Sequence, residues 1–243
     1  MIEATALQAL RDEKLIRLQA LQGCDRFVAH ATSEAAWDPF SFSFFGNLRS
    51  AADAIPADFE ELDKRPGVKV QDRRVQPYIR SQLFIALVSE LEDFLKSVLT
   101  VVIMAYPGKI GSEQVTVEVV AQLGRDGALR FAAEKHLNQL FYETPLDYGK
   151  KIAKLLSMSE ELFLSVWSPI VEMKARRDIG VHNGWVRNDI YDRRITAVGA
   201  ALPSMTFLGA SDTYFEGALK ASAALLNIVT DHCVTKFSVD QKN

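Results

Sequence analysis

Residues 159–185 read SEELFLSVWSPIVEMKARRDIGVHNGW, and taking this stretch as one long helix sets the fold class. Ser159 followed by Glu160 and Glu161 is a capping signal with an acidic first turn. Phe163, Val166, Ile170 and Met173 then recur at helical spacing. The run ends in Arg176, Arg177, Asp178, His182 and Asn183, with Gly180 and Gly184 on either side of the histidine. A segment that only fills a core has no use for that polar mixture. A glycine costs a helix interior about 1 kcal/mol, so two of them suggest that the chain bends here or approaches something closely.

The rest of the chain reads as helices around this one. Leu7, Leu10, Leu15, Leu18, Leu21 and Val28 give Ile2 to Ala31 an apolar stripe that must pack on the main bundle or on a partner chain. Pro77 to Tyr106 is the longest helix candidate, closed by Pro107-Gly108. Its Leu83, Leu87, Leu91, Phe94, Leu95 and Val98 suit a central position. Its Glu90, Glu92 and Asp93 are expected to lie mostly on a solvated face, with one of them available to orient an arginine. Gly111 to Leu123 is ambiguous, because Val115, Val117, Val119 and Val120 favour a strand while the glutamates and the length allow a helix. Gly127 to Tyr142, Leu146 to Ser157 and Ser211 to Phe237 read as further helices, and Asn188 to Met205 as a hairpin or loop. Trp37 to Gln76, with Pro39, Pro56, Pro66 and a phenylalanine cluster, reads as an irregular connection with a short helix near Pro56 to Leu62. The expectation is an all-α bundle with long connections: an N-terminal extension, residues 1–76, packed on a helical domain, residues 77–243.

Composition narrows the function classes. The chain of 243 residues is 48% hydrophobic and 24% charged, with a formal net charge of −3. That charge speaks against a broad nucleic-acid-coating surface, but it leaves room for local sites such as Arg73-Arg74, Arg176-Arg177 and Arg193-Arg194. Cys24 and Cys233 form no Cys-x-x-Cys spacing and read as two buried free thiols in a reducing cytoplasm. The N-terminus has no basic-then-apolar leader pattern, and acidic residues interrupt the most apolar run, so a cytoplasmic protein without a membrane span is expected. Neither a metal-ligand cluster nor a phosphate-cradling glycine loop is present, and no nucleophile elbow is found. No cofactor is expected.

Arg177 and His182 are separated by four residues. The spacing alone is unspecific, and Arg130 and His136 form a decoy that reads as helix surface. What distinguishes the first pair is its setting: Asp178 after the arginine, Asn183 after the histidine, glycines flanking, and a hydrophobic helix before. With that setting the segment resembles the R-x4–6-H motif of HEPN domains, α-helical bundles found in RNA-cleaving toxins, antiviral proteins and RNA-processing enzymes. Ser89 to Lys96 is similar to the early acidic-aromatic helix of several prokaryotic members. The resemblance covers about Ile79 to Phe237.

The resemblance implies a metal-independent endoribonuclease in a toxin–antitoxin or antiphage setting, with Arg177 and His182 catalytic. Arg176, Asp178 and Asn183 would support them or contact RNA. Histidine suits acid–base work near neutrality, and the arginine fork suits a phosphorane. One convincing histidine per chain calls for a homodimer with two motifs across a two-fold axis. The alternatives are a HEPN module that binds RNA or a nucleotide without cutting it, and an interaction protein that docks an antitoxin or regulatory partner.

Overall fold

The computed structural model describes residues 2–31, 75–141 and 143–237. Among these the chain forms seven α-helices: α1 (Ala4–Ala31), α2 (Val75–Ala105), α3 (Val117–Phe141), α4 (Pro145–Leu156), α5 (Glu160–Asn183), α6 (Asp189–Ala197) and α7 (Asp212–Phe237). No named strand occurs among the described residues; an isolated antiparallel bridge pairs Val186 with Phe207. No described helix is long and apolar enough to cross a membrane. The expected helix near Pro56 and the phenylalanine-rich segment lie outside the described residues, as does Arg73-Arg74.

The central helix is α2. Phe84, Leu87, Val88, Leu91, Phe94, Leu95, Val98, Leu99, Val102 and Ile103 are all at most 1% exposed, each contributing roughly 1.5–3 kcal/mol of burial before entropy is counted. Helices α1, α3, α4, α5 and α7 all pack on it. Pro77 sits in its first turn, where the missing N–H costs nothing, and Pro107 opens the short 3₁₀ turn that follows it.

A helix packed from so many sides has little solvated face: of its three acidic residues Asp93 is exposed, as expected, whereas Glu90 and Glu92 are only partly so. Lys14 of α1, only 2% exposed, donates to Glu90 at 2.7 Å and to Asp93 at 2.5 Å. Arg17 adds a bond to Glu90 at 3.1 Å, and Glu92 is taken up by α5. A second tie joins Arg80 of α2 to Asp25 of α1 at 2.7 Å and to Asp212 of α7 at 3.1 Å. Leu7 and Leu18 of α1 belong to the main apolar core. The N-terminal helix is thus a structural wall of the bundle, seated on α2 and α7.

These ties carry a pH signature. Burial pushes the Glu90 carboxyl up, but hydrogen bonds from Lys14 and Arg17 outweigh it and hold the group below its ordinary value of 4.5. Burial likewise opposes the charge on Lys14, and its bonds to Asp93 and Glu90 outweigh that too, leaving it above its ordinary 10.5. A depressed carboxyl contributes stability that is present above its unfolded value and lost as pH falls through the folded one. A raised amine contributes stability lost as pH rises through its folded value. The urea midpoint of the wild type is therefore expected to fall more steeply below pH 4.5 than that of Glu90→Gln. Parallel curves across that interval would refute the assignment.

Of the two alternatives for the valine-rich stretch the helix is found: after an irregular 111–116, helix α3 begins at Val117 and is interrupted at Gly124, whose φ of 67° and ψ of −177° break the helical path. A positive φ suits glycine, which has no Cβ to clash. Beyond the break, Ala128, Ala132, Ala133, Leu137 and Leu140 face inward. The decoy His136 is pinned here by Glu113, 2.9 Å from its Nδ1, and Arg130 is exposed, as expected of helix surface. A departure from expectation is α6, which occupies part of the region read as hairpin or loop. Asn188 caps it, its side chain accepting from the Tyr191 amide at 3.0 Å. Tyr191 and Ile195 pack with Ala175, Ile179 and Leu208 in a small separate core. Of the two thiols, Cys233 is buried but Cys24 is exposed, because its position on α1 faces away from the bundle.

Candidate functional site

The α5 segment that carries the motif is a regular helix to Asn183. No bend occurs at Gly180. That glycine is required because the Trp185 ring lies over it: a Cβ there would come within 2.6 Å of the indole. Gly184 ends the helix in the left-handed conformation, φ 56°, and the Trp185 amide bonds back to the Ile179 carbonyl at 3.0 Å. Trp185 itself has φ 65°, and its ring lies 6.1 Å from that of Phe84. The chain then leaves through Val186, whose carbonyl accepts from the Asn183 side-chain amide at 2.7 Å. In this position Asn183 stabilises the turn; the described structure gives it no bond to the imidazole.

Arg177 faces α2. Its Nη2 donates to Glu92 at 2.8 Å and its Nη1 lies 3.2 Å from Asp178. Its Nε is shielded from solvent and has no hydrogen-bond partner among the described residues. Glu92 also accepts from Lys174, one turn earlier on α5, and Asp178 accepts from Arg194 of α6 at 2.6 Å. The result is a ladder, Lys174–Glu92–Arg177–Asp178–Arg194, that joins α2, α5 and α6 with three cations against two anions. Lys174 is 7% exposed, and its ammonium stands 5.0 Å from the centre of the Tyr148 ring. Burial pulls the Lys174 amine below its ordinary value, with Glu92 opposing. The Tyr148 phenol is pushed up by burial and then by Glu92. Lys174 is the buried charge of the ladder, the other four members being partly exposed; removing Glu92 would leave its desolvation cost uncompensated.

Arg176 is turned to a different set of partners. Its Nε donates to Glu172 at 2.8 Å and its Nη1 to the Leu208 carbonyl at 3.1 Å, while the guanidinium carbon lies 3.7 Å from the centre of the Tyr214 ring. Glu172 also accepts from the hydroxyls of Tyr191, at 2.7 Å, and Tyr214. Burial, and then Glu172, raise both phenols above their ordinary range. This cluster ties α5 to α6, α7 and the 199–210 connection.

His182 is exposed and makes no hydrogen bond to a described residue. A five-residue step on a regular helix turns about 140°, so within one chain the imidazole does not share the face of Arg177. Exposed apolar side chains surround this end of the bundle: Val181, Ile190, Met205 and Phe207.

Sequence reading brought forward Arg177, His182, Arg176, Asp178 and Asn183, and one of three acidic residues as an arginine partner. Glu92 is that residue. Lys174 was not singled out, although it lies three positions before Arg177, the spacing that puts two side chains on one helix face. Arg194 stood out only as half of a basic pair. Among the described residues no group of three or more His, Cys, Asp or Glu side chains is placed to hold a metal ion. No family model, curated protein or solved structure matches the chain significantly.

Proposed function

We propose that the chain is an RNA-directed protein of HEPN type, a metal-independent endoribonuclease that works as a homodimer. The observation that carries the reading is the composition of the end of α5: an exposed histidine whose ring has no bond to any described residue, and, on another face of the same helix, an arginine backed by Glu92 and Asp178. In the reaction His182 takes the proton of a 2′-hydroxyl, whose oxygen attacks the adjacent phosphorus. The bond from phosphorus to the 5′-oxygen breaks, and that oxygen leaves with a proton supplied by a second imidazole. Arg177 takes the charge that grows on the non-bridging oxygens. The second imidazole comes from the partner copy, and the apolar rim of Val181, Met205 and Phe207 offers a surface for it. A toxin or antiphage role is part of this proposal by family analogy.

The rotation between Arg177 and His182 favours a second reading, an RNA-binding module that does not cut. One assay separates the two: the purified protein is incubated with total RNA and with tRNA in EDTA, and product ends are analysed. Fragments ending in a 2′,3′-cyclic phosphate are expected for the nuclease. Salt-sensitive binding without fragments, lost in Arg177→Ala, supports the module. Neither cleavage nor binding would remove RNA from the account.

A further inference from the structure

In the resting arrangement the partly exposed guanidinium of Arg177 is held between two carboxylates. Its two terminal nitrogens are engaged by Glu92 and Asp178, and its Nε is shielded. Yet neither carboxylate depends on it. Glu92 also holds Lys174, and Asp178 also holds Arg194. A part-buried carboxylate deprived of its cation is strongly unfavourable, and here each acid keeps one if Arg177 leaves. The Nε–H, shielded without an acceptor, weighs against the resting position as well, since a buried unpaired donor is costly.

We propose that Arg177 is a displaceable clamp. Glu92 and Asp178 hold the guanidinium back at rest, and a phosphodiester anion takes it by exchange while Lys174 and Arg194 keep the two acids neutralised. The exchange replaces carboxylate oxygens with phosphate oxygens on the same planar donors. It makes Lys174 a positioning residue that acts through Glu92 and never meets the ligand. The ligand half rests on the reading of Arg177 as a phosphate ligand; the restraint itself stands on the geometry alone.

The test reads the guanidinium directly. Phenylglyoxal adducts at each arginine are followed by mass spectrometry, with exposed Arg193 as the fast reference and Arg80, held by Asp25, as the slow one. Wild-type Arg177 is expected to react at least about tenfold more slowly than Arg193, the ratio of one charge-assisted bond. Asp178→Asn, and separately Glu92→Gln with Lys174→Met, are each expected to bring Arg177 toward the Arg193 rate while Arg80 stays slow. The double variant removes acid and amine together and so strands neither charge. A slow Arg80 shows that the bundle remains folded. Arg177 reacting like Arg193 in the wild type, or rates unchanged in both variants, overturns the clamp. The same proteins are then titrated with a short single-stranded RNA by anisotropy. Asp178→Asn is expected to bind about tenfold more tightly, a steeper salt dependence marking one more phosphate contact. Arg177 freed toward the reagent with no gain in RNA affinity overturns the phosphodiester as its ligand and leaves the restraint standing.

Discussion

His182→Ala is expected to lower the rate constant for RNA cleavage by about 10²–10⁴, the usual contribution of a positioned general acid–base. The same substitution is expected to leave stability within roughly 0.5 kcal/mol of wild type, as for most surface changes, because the ring is exposed and unbonded to any described residue. The contrast between the two readouts is the point. A histidine that served only to end the helix would show the reverse pattern, a shifted unfolding midpoint and unaltered chemistry. If cleavage persists at the wild-type rate in protein of equal stability, His182 has no part in it.

The largest effect on stability is expected at the tie between Arg80 and Asp25. Asp25→Ala strands Arg80, a residue only 6% exposed, with the outlying Asp212 as its remaining carboxylate. Breaking a buried pair from one side costs about 3–5 kcal/mol, enough to consume much of the stability of an ordinary domain. The control is Asp231→Ala, which removes the 3.5 Å pair with Arg11 at an exposed carboxylate and is expected to cost no more than about 1 kcal/mol. Replacing both members of the buried pair, Asp25→Leu with Arg80→Met, is expected to recover most of the loss. Urea unfolding decides the matter, and equal midpoints for Asp25→Ala and Asp231→Ala would show that the tie is idle.

The helices whose ends carry chemical punctuation were legible in the sequence. Ser159 does cap α5, its hydroxyl accepting from Leu162 at 3.1 Å, and Pro107-Gly108 does close α2. The long apolar stripes of α1, α2 and α7 announced themselves by spacing. Helix α6 did not: in its nine residues, Tyr191 and Ile195 are diluted by charge, and its chief mark is the Asn188 cap. The valines at the start of α3 favour a strand by propensity, yet the segment is helical and largely exposed, Val117 by 81% and Leu123 by 52%. The site was legible as a list of residues and illegible as a geometry. Glu92 lies 85 positions from Arg177 and 82 from Lys174, and no local pattern relates them. The glycine at 180 invited a bend, whereas its cause is the ring of Trp185 folding back over the helix. Of the acidic trio of α2, spacing alone does not tell which one meets an arginine of α5: Glu92 does, at 2.8 Å from Arg177, while Asp93 stays exposed.

The seating of α1 also has a consequence in time. Its two supports are separated by most of the chain: α2 follows it, but α7 is the last helix described. At a synthesis rate of about 5–20 residues per second, the 206 residues between Ala31 and Phe237 keep α1 waiting on the order of 10–40 s for its second support. Until then Leu7 and Leu18 rest on an unfinished wall, and the Arg80 side chain lacks one of its carboxylates. Until α7 emerges the nascent chain therefore carries an open apolar seam along α1, and a ribosome that stalls before α7 leaves that seam uncovered.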